Sequence, residues 1–237
     1  MPNTYFRFKQ FTIHQDQCAM KVCTDACIFG AWFAEKIPSL STVLDIGSGT
    51  GLLMLMLAQK NKAMIDGIEI DLPTYKQLRE NIARSRWKSS LQAFPGDVRH
   101  FSFPNKYDVI ISNPPFFEGD LLSPKEENNL AKHSSSLKLE ELIGVIGQNL
   151  DPSGFFGILL PYHRMEAFEA LAGAHQFYLQ EKLLLRQSDQ HPYFRSILQF
   201  SRNKSGFSTS SELSITYNGE GYTNEYVELM KDYYLHW

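Results

Sequence analysis

Between positions 42 and 161, short runs of apolar and β-branched residues alternate with segments whose apolar residues recur at helical spacing. The runs predict strands at Thr42–Ile46, Met64–Ile70, Leu91–Phe94, Tyr107–Ser112 and Gly154–Leu160. The segments between them predict helices at Gly51–Lys60, Leu72–Ser85 and Leu139–Asn149. Strands that alternate with helices form parallel βαβ units, so this pattern predicts an α/β, Rossmann-like sheet with helices on both faces.

Flanking segments are expected to extend this sheet. Upstream, Thr24 or Asp25 can cap a helix that runs to about Lys36. Downstream, one helix and two strands are predicted, at Met165–Ala174, Phe177–Arg186 and Phe194–Arg202. The two strands would form an antiparallel pair at one edge. The complete prediction is a seven-stranded, mostly parallel sheet with an antiparallel edge strand.

The last part of the chain has a different composition. A Ser/Thr/Gly-rich linker, a turn and a final amphipathic helix are predicted at Ser205–Ser211, Asn218–Gly219 and Tyr226–Trp237. A length of 237 residues suits one α/β domain with modest additions. We therefore expect a single domain over 1–237, with an N-terminal entrance segment and helix (1–40), a core (41–204) and a C-terminal strand and helix extension (205–237).

Composition narrows the protein class. No apolar run is long enough for a signal peptide or a membrane span, so a cytoplasmic protein is expected. The spacing of the cysteines, Cys18, Cys23 and Cys27, matches neither zinc nor iron–sulfur sites, which predicts reduced thiols and no metal. A net charge of -3 gives no sign of nucleic-acid binding, so RNA affinity would depend on cations clustered on one face.

A glycine loop follows the first strand of the core. The run Asp45-Ile46-Gly47-Ser48-Gly49-Thr50-Gly51 opens directly into a helix. Glycines allow a sharp turn and a close approach to a ligand at the carboxyl end of a strand. Leu52 stands where a dinucleotide-binding motif would place its last glycine, which disfavours an NAD-dependent oxidoreductase.

The form of this loop resembles motif I of the class I methyltransferases, in which it surrounds the methionine part of S-adenosylmethionine. By the same resemblance, Glu69 at the end of the second strand accepts the ribose hydroxyls, and Asp97 after the third strand binds the adenine amine. Asp45, Gly47, Gly49, Gly51, Glu69 and Asp97 are therefore expected to bind this cofactor.

The fourth strand runs into Asn113-Pro114-Pro115-Phe116. An aromatic exocyclic amine is a poor nucleophile, because its lone pair is delocalised into the ring. The Asn113 side-chain carbonyl and the Pro114 main-chain carbonyl can accept both amine hydrogens and stabilise the developing positive charge. Pro115 makes the turn rigid, and Phe116 can stack on the base. The run resembles motif IV of the amino-methyltransferases, with Asn113 next to the cofactor.

The segment before the core indicates a narrower group. Phe8-Lys9-Gln10-Phe11, the run from Cys18 to Asp25 and Gly30-Ala31-Trp32 resemble the bacterial tRNA(Val) adenine-N(6)-methyltransferases, and the resemblance extends from about Phe6 to Arg202. It implies methylation of the adenine 3' of the anticodon. It also implies that Lys21, Thr24 and Asp25 border the cofactor pocket and help to close it.

A tRNA substrate requires cations beside the catalytic turn, because phosphate contacts supply most of the affinity that is independent of sequence. The candidates are Arg7, Lys9, Lys125, Lys132, His133, Arg186 and Arg195. No obligate protein partner is evident.

Three other functions stay open. Methyltransferases acting on guanine-N(2) of ribosomal RNA can carry the same catalytic turn, but usually on a longer or duplicated chain. Glutamine-N(5) methyltransferases tend to have Asn-Pro-Pro-Tyr and an N-terminal helical domain, whereas only about forty residues precede Thr42 here. A catalytically silent RNA-binding scaffold is the third, and complete motifs disfavour it.

Overall fold

The computed structural model describes residues 3–18, 20–115, 137–204, 206–218 and 220–236. Four of the predicted site residues, Phe116, Lys125, Lys132 and His133, lie outside the described residues. Gly219 of the predicted turn and Trp237 of the predicted last helix lie outside them as well.

Ten strands form a hairpin and one large sheet in the described part of the chain. The hairpin pairs β1 (Tyr5–Arg7) with β2 (Thr12–His14). The strands of the sheet are β3 (Thr42–Ile46), β4 (Met64–Glu69), β5 (Leu91–Pro95), β6 (Tyr107–Ser112), β7 (Leu150–Pro161), β8 (Tyr178–Arg186), β9 (Tyr193–Ser201) and β10 (Thr209–Ser214). Their spatial order is β10-β8-β9-β7-β6-β3-β4-β5.

The order of the strands reverses between β3 and β6, and β9 is antiparallel to both of its neighbours. The predicted antiparallel pair is formed by β8 and β9, and β10 adds one parallel strand outside it. The sheet therefore has eight strands rather than seven. Open parallel sheets bind ligands at the carboxyl ends of their strands where the order reverses, which directs attention to the ends of β3 and β6.

Six α-helices are found in the described residues: α1 (Thr24–Ala34), α2 (Leu52–Lys60), α3 (Leu72–Arg84), α4 (Leu139–Asn149), α5 (Met165–Ala174) and α6 (Asn224–Met230). The bounds of α4 and α5 agree with the sequence prediction. The last helix begins two residues earlier than predicted, at Asn224, where Thr223 caps it, and it is shorter than predicted because it ends at Met230. None of the described helices has the length and apolarity to cross a membrane.

Two buried clusters cover the two faces of the sheet. One cluster joins α1, α2, α3 and α6 to the first face, and the other joins α4 and α5 to the second. Leu52–Ala58 of α2 is buried on every side, so this helix is enclosed by its neighbours.

The N-terminal hairpin is fastened to the core by buried amides of α3. Asn81 accepts a hydrogen bond from the His14 N–H (3.0 Å) and donates to the Thr50 carbonyl in the glycine loop (2.9 Å). Gln77 accepts from the Gln17 N–H (3.0 Å). These hydrogen bonds hold the hairpin and the residues that follow it against α3 and the glycine loop.

Candidate cofactor and substrate site

The glycine loop between β3 and α2 requires glycine at three positions. Gly47, Gly49 and Gly51 have φ values of 73°, 55° and 87°, a region that other residues rarely adopt. A Cβ atom on Gly51 would lie 2.6 Å from Leu78 Cδ1, whereas no atom lies within 4 Å of such a position on Gly47 or Gly49. The last glycine therefore permits close packing, and the first two leave open space for a ligand.

Glu69, at the end of β4, is held by this loop and by the start of α3. Its two carboxylate oxygens accept hydrogen bonds from the N–H groups of Gly49 and Asp71, each at 2.9 Å. Burial raises its pKa, and the two N–H donors oppose that shift. The carboxylate is therefore positioned before any ligand binds and keeps lone pairs for the vicinal hydroxyls of a ribose.

Asp45 is the buried acid of the loop. Its side chain is fully buried, and neither carboxylate oxygen has a hydrogen-bond partner among the described residues. Burial, with a smaller contribution from the negative charge of Glu69, raises the pKa of Asp45 to about 8. An unsatisfied buried acid is costly, so this position suits a ligand that brings a cationic hydrogen-bond donor, such as the ammonium of a methionine.

Asp97 follows β5 and is engaged by Arg99. The guanidinium donates to both Asp97 oxygens, with the shortest contact, Nη2 to Oδ2, at 2.6 Å. It also reaches Glu141 at 3.3 Å. Hydrogen bonds from Arg99 hold the pKa of Asp97 below its usual range. An ionised Asp97 can accept a hydrogen bond from the amine of an adenine, and Arg99 fixes its orientation.

The turn after β6 completes the site. The Ser112 hydroxyl donates to the Ile46 carbonyl at 2.9 Å and so ties the end of β6 to β3. The Asn113 side-chain oxygen Oδ1 is buried, and no described residue donates a hydrogen bond to it. Asn113 therefore presents an unused acceptor at the strand end, and two prolines stiffen the chain that follows.

All of these groups except Asp45 and Gly51 line one cavity of about 430 Å³. The predicted residues in its wall are Gly47, Gly49, Glu69, Asp97, Asn113, Pro114 and Pro115. Sequence reasoning missed further members of the wall: Cys18, Met20, Asp71, Thr74, Arg99 and Leu137. Asp71 could have been found, because an Asp followed by a proline two residues later is a helix-start signal directly after β4. Leu137 carried no such signal.

Five of the residues expected at the cofactor are not in this wall: Lys21, Thr24, Asp25, Asp45 and Gly51. Asp45 is fully buried, and Gly51 packs against Leu78. Lys21 donates to the Asn3 carbonyl (3.2 Å) and is not part of the wall. Thr24 and Asp25 line a second cavity, because Arg195 at the start of β9 donates to Asp25 Oδ2 (2.8 Å) and holds the first turn of α1 there. That Lys21, Thr24 and Asp25 border the cofactor pocket and help to close it therefore stays a prediction.

The predicted RNA-binding cations differ in their surroundings. Arg195 and Arg186 have acidic partners, at 2.8 Å from Asp25 and 3.3 Å from Glu212. Lys9 donates to the Lys231 carbonyl. Arg7 is exposed and has no ion-pair partner among the described residues.

The cysteines show no cluster for a metal. Among the described residues no group of three His, Cys, Asp or Glu side chains could hold a metal ion. All three cysteines are free thiols, Cys27 is buried, and burial raises the pKa of Cys23 and Cys27 to about 12.

The sheet order and the residues around the first cavity define a class I S-adenosylmethionine-dependent methyltransferase. The family model "Methyltransferase small domain" matches residues 29–142. Over 237 residues the chain is 43% identical to the tRNA1(Val) (adenine(37)-N6)-methyltransferase of Dyadobacter fermentans, with 98% of each chain covered. It is 36% identical to the protein of the same name from Phocaeicola vulgatus, with 99% of each chain covered. The chain belongs to this family of tRNA1(Val) (adenine(37)-N6)-methyltransferases.

Solved structures agree on the fold. A predicted O-methyltransferase from Agrobacterium tumefaciens superimposes with a TM-score of 0.70 at 14% identity, covering 88% of this chain and 96% of its own. TYW2 of Pyrococcus horikoshii, solved in complex with MeSAdo, gives a TM-score of 0.59 at 17% identity, covering 84% and 71%.

Proposed function

We propose that this protein transfers a methyl group from S-adenosylmethionine to the exocyclic N6 of an adenine in tRNA, namely adenine 37 of tRNA1(Val). The observation that carries the proposal is the buried Asn113 Oδ1, which has no donor among the described residues and lies in the wall of the cofactor cavity. The substrate identity comes from the names of relatives that match nearly the whole chain.

The described residues fit S-adenosylmethionine at both ends of the molecule. Gly47 and Gly49 leave open space beside the fully buried Asp45, where the ammonium of the methionine would be balanced. Glu69 would hold the ribose hydroxyls, and Asp97 the adenine amine. When bound, the cofactor supplies an electrophilic methyl group on a positively charged sulfur.

The catalytic turn would activate the amine by hydrogen bonding. Asn113 Oδ1 and the Pro114 carbonyl accept its two hydrogens, which draws the nitrogen lone pair out of conjugation and towards the methyl group. Both acceptors also stabilise the positive charge that develops on nitrogen. No general base is required, because the nitrogen becomes acidic once it carries the methyl group and then loses a proton to water. Phe116, outside the described residues, would stack on the base.

We also propose that the enzyme works in the cytoplasm, where its tRNA is found, without a metal or an obligate protein partner. Purified protein should therefore retain full turnover in excess chelator. Loss of activity that zinc or magnesium restores would overturn this part of the proposal.

The decisive experiment incubates the purified protein with labelled S-adenosylmethionine and individual unmodified tRNA transcripts. Nucleoside mass spectrometry should show N6-methyladenosine in tRNA1(Val), and none in a transcript whose adenine 37 is replaced by guanine. Methylguanosine from ribosomal RNA, or methylglutamine in a protein substrate, would identify one of the alternative enzymes instead. A protein that methylates no tRNA would exclude the proposed function.

A further inference from the structure

The second cavity, of about 640 Å³, is larger than the cofactor cavity, and the mechanism above does not use it. We name it the aromatic recess, because five phenylalanine and tyrosine rings line it: Phe6, Phe194, Tyr222, Tyr226 and Tyr234. We propose that the aromatic recess binds an unstacked base of the RNA substrate next to the methylated adenine. This inference rests on the proposed function, because it assumes that the substrate is RNA.

Four of these rings, all except Phe194, form a continuous aromatic wall rather than isolated contacts. The centroid of Tyr226 lies 5.1 Å from that of Tyr222 and 6.4 Å from that of Tyr234. Phe6 continues the series at 5.9 Å from Tyr234. Tyr226 belongs to the core, whereas Tyr222 is 45% exposed, so the wall has a buried back and an accessible front. Proteins hold unstacked bases against surfaces of this kind.

The charges around the recess suit a nucleic acid. Asp25 is the only acid among the described residues that line it, and Arg195 neutralises it at 2.8 Å. Arg7 adds a cation at the exposed end of β1, with no ion-pair partner among the described residues. A base can therefore enter without meeting an unbalanced negative charge, and its phosphate can reach Arg7.

The sheet places the recess on the same edge as the catalytic turn. Gln187 and Ile215 follow the carboxyl ends of β8 and β10, and Phe194 lies at the start of the antiparallel β9. Asn113 follows β6, which is two strands from β9. With a spacing of about 4.8 Å between strands, the ends of β9, β8 and β10 lie roughly 10 to 20 Å from the end of β6. A few nucleotides of an unstacked loop can span that distance.

The C-terminal segment would therefore contribute to RNA binding. Tyr222, Tyr226 and Tyr234 all belong to it, and Tyr233 fastens it to α2 by donating a hydrogen bond to the Met56 carbonyl (3.1 Å). The core alone would supply the catalytic turn, and the extension would supply most of the rings.

The test compares two tyrosines of similar exposure, of which only one lines the aromatic recess. Tyr222 lines the recess and is 45% exposed, whereas Tyr217 does not line it and is 49% exposed. We expect Tyr222→Ala to raise the KM for tRNA about tenfold, the size of a lost base stack, with kcat at saturating tRNA and S-adenosylmethionine affinity near wild type. Tyr217→Ala should leave the KM for tRNA within twofold, and Tyr222→Phe should recover most of the loss.

A second measurement does not depend on Tyr222. Arg7→Gln should weaken tRNA binding and reduce the slope of log K against log salt by about 0.7 to 0.9, as expected for one lost phosphate contact. Circular dichroism of each variant checks that it is folded. If Tyr222→Ala leaves tRNA affinity within twofold of wild type, or if Tyr217→Ala lowers it equally, the recess does not bind the substrate.

Failure of this inference is distinguishable from failure of the proposed function. Wild-type protein that methylates tRNA while Tyr222→Ala does so with unchanged KM refutes only the recess. Wild-type protein that methylates no tRNA refutes the proposed function, and direct binding of tRNA by filter retention then decides the recess. Binding that depends on Tyr222 and Arg7 supports it, and binding that depends on neither refutes it.

Discussion

The Gly49 N–H donates a hydrogen bond to Glu69 Oε2 over 2.9 Å and joins the glycine loop to the end of the neighbouring strand. The two residues lie twenty positions apart in the chain. This hydrogen bond joins the glycine loop, which is expected to bind the methionine, to Glu69, which is expected to bind the ribose.

Glu69→Gln is expected to weaken S-adenosylmethionine binding at least tenfold. The amide oxygen can accept from only one of the Gly49 and Asp71 N–H groups, so the amide NH2 faces the other donor. The side chain also loses the charge that strengthens hydrogen bonds to the ribose, and a hydrogen bond to a charged group contributes about 1.5 to 3 kcal/mol. Isothermal titration calorimetry measures the loss. Glu80→Gln, an exposed acid on α3, is the matched control and should bind as wild type does. Equal affinities for Glu69→Gln and wild type would remove Glu69 from the site.

Asn113→Ala should reduce kcat about 10²- to 10³-fold while S-adenosylmethionine still binds within a few-fold of wild type. Loss of one preorganised acceptor at a developing charge has this order of effect. Single-turnover methylation of tRNA under saturating conditions measures it. Asn105→Ala, in an exposed loop, serves as the control. An Asn113→Ala enzyme with wild-type turnover would show that the amide does not activate the amine.

Asp45 should make the stability of the ligand-free protein depend on pH. Because its pKa is raised from 3.8 to about 8, the stability that the protonated form provides is fully present below about pH 4 and is lost as pH rises through about 8. Asp45→Asn does not titrate, so its melting temperature relative to wild type should be higher at about pH 9 than at about pH 5. Thermal unfolding at both values tests this difference.

Asp45 should also release a proton when S-adenosylmethionine binds. A cation bound beside Asp45 favours the carboxylate, so wild-type protein should release protons when S-adenosylmethionine binds near neutral pH. Calorimetry in two buffers of different ionisation enthalpy detects that release. Asp45→Asn should bind more weakly and release fewer protons, and an unchanged proton count would place the ammonium elsewhere.

Gly51→Ala should destabilise the fold by about 1 to 3 kcal/mol. Its φ of 87° disfavours any side chain, and the added Cβ would lie 2.6 Å from Leu78 Cδ1. Gly144→Ala is the matched control: Gly144 lies within α4, no atom lies within 4 Å of its added Cβ, and alanine favours helices by about 1 kcal/mol. The free energy of unfolding measured in urea should therefore fall for Gly51→Ala and rise for Gly144→Ala. Equal effects would refute the strain argument.

Local patterns in the sequence determined most of the central sheet. Thr42–Ile46, Tyr107–Ser112 and Leu139–Asn149 form the predicted elements with the predicted bounds. The reason is that apolar periodicity and turn-forming residues act over a few positions. The glycine loop and the catalytic turn follow directly on predicted strands, and the resemblance to the class I methyltransferases assigned Glu69 and Asp97, near the ends of the next two strands, to the cofactor.

Elements without a local signal were missed, as the hairpin was, or predicted without bounds, as was the strand in 205–237. The hairpin strands β1 and β2 are three residues each, too short for a period to appear. Strand β10, Thr-Ser-Ser-Glu-Leu-Ser, has the composition of a linker and is mostly exposed. It becomes a strand because β8 offers it an unpaired edge, and that edge exists only in the folded sheet.

Only the tertiary structure decided which charges meet. Arg99 lies close to Asp97 in sequence, but its contact with Glu141 joins α4 to the site across 42 positions. Asp25, which was expected beside the cofactor, lines the aromatic recess and is held there by Arg195, 170 positions away. Ion pairs and cavity walls depend on which distant segments pack together, whereas helices, strands and turns depend on neighbours in the chain. For this reason local patterns predicted much of the wall of the first cavity, whereas the rings of the second cavity came together only in the folded chain.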